Sequence, residues 1–305
     1  MSLVSFFMRP GPSGYAYGST AEQVTAGLDL SGKTYLVTGS NSGLGLETAR
    51  VLTLRGAHVI AAARTRDKAQ AALDSRNIEG TPVACELSEP SSVRACVETV
   101  AGLDRPLDGI IANAGIMALP KLEQKYGLEL QFLTNHIGHF ILVTGLLDRL
   151  TADGRVVILS SSAHQAAPAA GIEFDNLSGE RNYRPWAAYG QSKLANLLFA
   201  KQLAKRLPAG QTANAIHPGV IDTNLGRHMN LAVRMGLKPA SLLFLKSIPQ
   251  GASTQCYVAT HPDTATVSGE YFADCNVAKC SAHGRDAALA EKLWTVSEEL
   301  VEKLR

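Results

Sequence analysis

The chain has 305 residues, 46% of them apolar, and its 29 basic and 27 acidic side chains leave a formal charge of +2. That length suits one large domain or two ordinary ones with a sizeable core, and the near balance of charge, without a long single-sign run, excludes nucleic acid and acidic surfaces as expected partners. Five cysteines (Cys85, Cys96, Cys256, Cys275 and Cys280) are an odd number without metal-ligand spacing, so neither a disulfide framework nor a structural metal is expected.

In chain order, the apolar segment 1–8 stops at Arg9-Pro10, lacks a basic flank and a cleavage site, and is too short to span a bilayer. With no transmembrane segment or targeting signal in view, the expected location is cytoplasmic. Residues 1–30 read as an irregular lead-in, in which Ser19 or Thr20 with Glu22 and Gln23 caps a short helix. From Lys33 onward short apolar runs alternate with amphipathic stretches. Strands are predicted at 34–38, 58–62, 82–85, 107–113, 155–160 and 212–217, with a last one near 269–272. Helices are predicted at 43–55, 67–75, 91–101, 128–150, 187–207, 249–260 and 286–303. This alternation predicts an α/β fold over 31–305, a single-domain, Rossmann-type doubly wound parallel sheet with helices on both faces.

Between the first strand and helix stands Gly39-Ser40-Asn41-Ser42-Gly43-Leu44-Gly45, preceded by Thr38. Glycines there allow a tight turn and a close backbone approach, and the helix that follows offers free N–H groups and its positive end to a pyrophosphate. About 20 residues further on, where an acidic residue would bond the ribose 2′-hydroxyl of NAD, the chain carries Arg64. A guanidinium suits a 2′-phosphate, so NADP(H) is favoured over NAD(H).

Tyr189 and Lys193 lie four apart at the start of a predicted helix and share one face. An ammonium beside a phenol favours the phenolate, which makes Tyr189 a candidate general acid or base with a lowered pKa. The segment 222–248, rich in Leu, Met and Phe, reads as an apolar lid over the ligand crevice; a subunit contact, a membrane-surface contact and plain core packing are the other readings.

The series TGxxxGxG, Asn113-Ala114-Gly115, Ser161 and YxxxK, each on its expected element, strongly resembles the short-chain dehydrogenase/reductase family. Finer strings at 134–140, 160–164, 189–196 and 217–220 resemble the branch containing retinol dehydrogenases, WW-domain oxidoreductases and plant chloroplast relatives, although no WW domain is visible. The resemblance implies that Tyr189 transfers the proton, Lys193 lowers its pKa and binds the nicotinamide ribose, Ser161 bonds the reacting oxygen, and Asn135 holds a relay water. It also implies cofactor contacts at Glu86, Leu87, Asn113, Ala114, Gly115, Pro218, Gly219, Val220 and Thr223. Glu86 stands where the family has Asp, Ile158 replaces a common Asn, and Ser160 is the fallback for Ser161.

The function expected is NADP(H)-dependent interconversion of an apolar aldehyde or ketone with its alcohol; the alternative is an idle NADP-binding sensor or scaffold. A homo-oligomer through helices 128–150 and 187–207 would be typical of the family, unless their apolar faces are core. None of His136, His139, His164 and His217 is assigned a catalytic role.

Overall fold

The computed structural model describes residues 9–221 and 245–305. In chain order these form α1 (Ala21–Val24), β1 (Thr34–Thr38), α2 (Gly43–Leu54), β2 (His58–Ala63), α3 (Arg66–Asp74), β3 (Gly80–Ala84), α4 (Pro90–Ala101) and β4 (Leu107–Ala112). A small hairpin of β5 (Gln124–Lys125) and β6 (Leu128–Glu129) leads into α5, residues 130–144. Then come β7 (Leu150–Leu159), α6 (Pro185–Ala204), β8 (Thr212–His217), α7 (Ile248–Gly251), α8 (Ser253–Thr260), β9 (Tyr271–Ala273), β10 (Asn276–Val277) and α9 (Ala287–Lys303).

The main sheet runs β10-β9-β8-β7-β4-β1-β2-β3, parallel except where β10 turns back on β9. Successive strand residues point to opposite faces. Leu36, Ile60, Ile110 and Val156 therefore pack with α4, α5, α6 and α9, while Val37, Val59, Ile111 and Val157 pack with α1, α2, α3 and α8. With both faces covered, β1 is buried along its whole length, which is why its sequence is nearly continuous in apolar and β-branched residues. Strand order reverses between β1 and β4, the place where a doubly wound sheet opens a crevice beyond its carboxyl ends.

Several boundaries differ from expectation for identifiable reasons. The predicted helix 128–150 is shortened at both ends. Leu128 and Glu129 pair with the preceding strand, and the Glu129 carboxylate then accepts from Phe132 N at 2.8 Å to cap α5. At the other end Gly145 closes the helix, and Leu150 already pairs with Leu107 in the sheet. β3 starts at Gly80 and tolerates Pro82 because it is the outermost strand. Thr20 caps α1, exchanging bonds with Gln23 at 3.3 and 2.9 Å. The apolar face of α6 is covered within the chain by α9, where Leu293 and Trp294 are buried and Arg206 lies 4.3 Å over the Trp294 ring. The 222–248 segment and Thr223 lie outside the described residues, apart from 245–248.

Candidate active site

The carboxyl ends of β1, β4, β7 and β8 bring the sequence motifs to one edge of the sheet. At the end of β1, Gly39 has φ +70, and an added Cβ would press on Ala114 at 3.0 Å. Gly45 permits the closest approach: a Cβ there would overlap the Gly39 carbonyl and reach Asn113 Nδ2 at 2.7 Å. Ser42 stands at the N-cap of α2 without a side-chain capping bond, so the first amides of that helix keep their free donors. Asn41 and Ser42 are exposed, and Leu44 is buried under the turn. Ser40 faces inward instead, donating its hydroxyl to the Val37 carbonyl at 2.8 Å, and so shapes the turn rather than the crevice.

Arg64 follows β2, exposed, with no hydrogen-bond or ion-pair partner among the described residues. Glu86 is drawn back on itself, accepting from Ser88 N at 3.3 Å and Ser88 Oγ at 3.0 Å, while Leu87 is buried. Asn113 donates through Nδ2 to the Thr38 carbonyl at 2.8 Å, locking β4 to β1, and its buried Oδ1 has no partner among the described residues. These features, a turn with no room for side chains, an uncapped helix start and an orphaned amide oxygen, fit a dinucleotide phosphate and ribose.

The polar centre lies beside this turn. Tyr189 and Lys193 are both buried on α6, with the Lys193 nitrogen 5.8 Å from the phenol ring centroid. Ser161, just past β7, is near enough to the Tyr189 phenol to pull its pKa down, and its Oγ accepts from Ala163 N at 3.1 Å. Ser160 turns the other way and donates to the Lys193 carbonyl at 2.7 Å, so Ser161 is the serine that meets the phenol. Lys193 Nζ donates to the Leu159 carbonyl at 3.0 Å. Gly115 lies within contact of both Lys193 and Asn135, since a Cβ there would meet Lys193 Nζ at 3.4 Å and Asn135 Oδ1 at 3.0 Å.

Asn135 sits in a π-turn, Leu133–Ile137, within α5, an irregularity that recurs at functional sites. Its Oδ1 accepts from Ile116 N at 2.8 Å, and its Nδ2 donates to Ile116 O and Ser192 Oγ, each at 2.9 Å. The side chain thus ties the loop after β4 to α6. Ser192, which also donates to the Tyr189 carbonyl at 2.8 Å, and Asn196, which donates to the Leu159 carbonyl at 2.9 Å, join the site although the sequence reading passed over both. Their place in the 189–196 string was the available signal.

Electrostatics here depart from the expectation that Lys193 lowers the Tyr189 pKa. Burial dominates and disfavours charge on both groups. It pushes the phenol up to about 12, against a smaller pull from Ser161, and pushes the Lys193 ammonium down to about 7. Burial also drives His217 down to about 4. Among the residues expected from sequence to contact the nicotinamide, Pro218 is buried, Val220 is 59% exposed, and the buried Lys246 packs beneath Gly219 while pairing with Asp274.

Among the described residues no cluster of three or more His, Cys, Asp or Glu could hold a metal, and no helix is long and apolar enough to cross a membrane. Residues 33–233 match the family model for short chain dehydrogenase. The chain is 45% identical to short-chain dehydrogenase TIC 32 A, chloroplastic, of Brassica napus, over 97% of each chain. It is 40% identical to retinol dehydrogenase 12 of Mus musculus, over 91% of this chain and 89% of that one. A crystal structure of a protein from Mycobacterium paratuberculosis superposes with a TM-score of 0.75 at 34% identity, covering 92% of this chain and 97% of the other. The cytoplasmic expectation draws no support from a relative described as chloroplastic.

Proposed function

The chain belongs to the short-chain dehydrogenase family of oxidoreductases, and we propose that it interconverts an apolar aldehyde or ketone with its alcohol, using NADP(H) and Tyr189 as the proton donor and acceptor. The observation that carries this reading is the burial of Tyr189 and Lys193 together on α6, the Lys193 nitrogen 5.8 Å from the phenol ring centroid, beside Ser161 and the glycine turn. When bound, the cofactor supplies a hydride. The protein then has to supply a proton and a place for negative charge.

Tyr189 is held neutral by burial, so it enters reduction with its proton in place. The proton passes to the substrate oxygen as charge develops there, and Ser161 donates a hydrogen bond to the same oxygen. Lys193, buried and easily deprotonated, lies close enough to stabilise the phenolate that remains and to restore its proton. Asn135 holds the loop after β4 against α6 and so keeps Lys193 in register. Gly39, Asn41, Ser42, Gly43 and Gly45 would receive the pyrophosphate, and Arg64 the 2′-phosphate.

The reading is tested by following NADPH and NADH oxidation by the purified protein with decanal, benzaldehyde and all-trans-retinal, with Tyr189→Phe run in parallel. Faster consumption of NADPH that disappears in the variant is the expected result. Tight NADPH binding without turnover of any carbonyl would instead point to a cofactor-binding sensor.

A further inference from the structure

We propose that His139 is a positioning residue that locks the cofactor turn and Asn135 into one register; the inference rests on the oxidoreductase reading above. His139 is fully buried on α5, one turn beyond Asn135, and its two ring nitrogens face two different parts of the site. Nδ1 lies 2.9 Å from the Asn135 carbonyl oxygen, and Nε2 lies 2.9 Å from the Thr38 hydroxyl. Thr38 is the last residue of β1, directly before the glycine turn.

The direction of every bond in this chain is determined. A carbonyl oxygen can only accept, so Nδ1 carries the ring proton and donates to Asn135. The Thr38 oxygen already accepts from two backbone amides, Asn113 N at 2.9 Å and Ala114 N at 3.0 Å. Its single proton is therefore free to go to Nε2, which in this tautomer is an acceptor. Both ends demand the same neutral tautomer. Burial, with the nearby Lys193 charge acting in the same direction, holds the imidazole pKa down to about 4 and keeps the ring in that form.

One imidazole thus spans three motifs: the end of β1, the Asn113-Ala114 backbone after β4, and the π-turn carrying Asn135. In the π-turn the backbone ladder is out of α-helical step, and a side-chain donor to the Asn135 carbonyl fixes the carbonyl's direction there. The Asn135 side chain in turn bonds Ser192 on α6, so a shift of Asn135 would be felt one residue from Lys193. His139 acts through these groups and touches no reacting atom.

The two functions of the ring separate by substitution. In His139→Asn a short amide donor stands near the Nδ1 position, while His139→Gln places an amide oxygen near the Nε2 position; His139→Phe fills the volume and supplies neither. NADPH affinity is read by fluorescence titration, and kcat by NADPH oxidation with decanal at saturating cofactor. Loss of one buried hydrogen bond corresponds to about a tenfold effect. His139→Gln is expected to keep the NADPH Kd within about twofold and lose about tenfold in kcat, and His139→Asn to show the reverse; His139→Phe loses both. Equal losses in the Asn and Gln variants, or a lowered Tm with both constants unchanged in all three, would reduce His139 to core filling and overturn the proposal. Wild-type protein that binds NADPH but turns over no carbonyl defeats the oxidoreductase reading instead. The Kd arm still tests the Thr38 half of the proposal in that event.

Discussion

The glycine turn and the Tyr189 cluster occupy the same edge of the sheet, yet they are built on opposite principles. The turn works by what it omits: Gly39 and Gly45 leave no side chains, and Ser42 leaves the start of α2 uncapped. What it presents is backbone amides, which do not titrate. The Tyr189 cluster works by what it encloses, a phenol and an ammonium, both buried and both pushed toward their neutral forms. Backbone sites are sensitive to shape, whereas buried side-chain sites are sensitive to protonation and carry a desolvation cost.

The sharpest way to separate the two is Lys193→Met. Turnover is expected to fall by roughly 10²-fold or more as the phenolate loses its stabilising charge, while unfolding stability rises by on the order of 1 kcal/mol because a buried ammonium is gone. Denaturant melts beside initial rates test this, and a destabilised variant would contradict the assignment of Lys193 as a strained, functional charge. In the turn the same logic inverts: Gly45→Ala forces a methyl against the Gly39 carbonyl and Asn113. Stability should drop by about 1–3 kcal/mol and NADPH should weaken together with it, as read by thermal shift with and without cofactor.

Smaller is the effect expected at Arg64, which is exposed and tied to nothing else among the described residues. Arg64→Ser should raise the NADPH Kd by about tenfold and leave NADH binding within about twofold. Equal changes for the two cofactors would detach Arg64 from the 2′-phosphate. The gentlest probe is pH. Lys193 binds its proton less tightly in the folded chain than in the unfolded one, so its contribution penalises folding below about 7. That penalty is relieved as pH rises from there toward the unfolded lysine value. Carbonyl reduction should move the other way, falling as pH rises through about 7 with the loss of the ammonium, and a flat profile would show that its charge is not used.

How much of this was legible beforehand follows the same division. The strand limits 34–38 and 212–217 agree with the structure, and for 34–38 the reason is a parallel strand buried along its whole length, which leaves a nearly continuous run of apolar and β-branched residues. The hairpin at Gln124–Lys125 and Leu128–Glu129 escaped notice, since strands of two residues are too short to show alternation. The grouping of Tyr189, Lys193, Ser161 and Asn135 was implied by the family resemblance, and the structure brings them together around α6. The direction of the Tyr189 pKa did not follow, because a spacing of four reports proximity and says nothing of burial. His139 was set aside for the same reason: one sequence position cannot reveal that both nitrogens of a ring are engaged at once.

Pro82 has a consequence for the behaviour of many copies of this chain together. Along a strand, amides alternate between the two neighbouring sides, and Cys85 N bonds inward to the Ala63 carbonyl. The nitrogen of Pro82, three residues earlier, therefore points outward from the edge strand, where it has no hydrogen to offer. An incoming strand would meet a gap in its ladder at that edge. At the opposite edge β10 is only two residues long and offers little to pair with. Both borders of a long hydrophobic sheet are thereby poor templates for sheet-to-sheet aggregation at high expression or on transient unfolding.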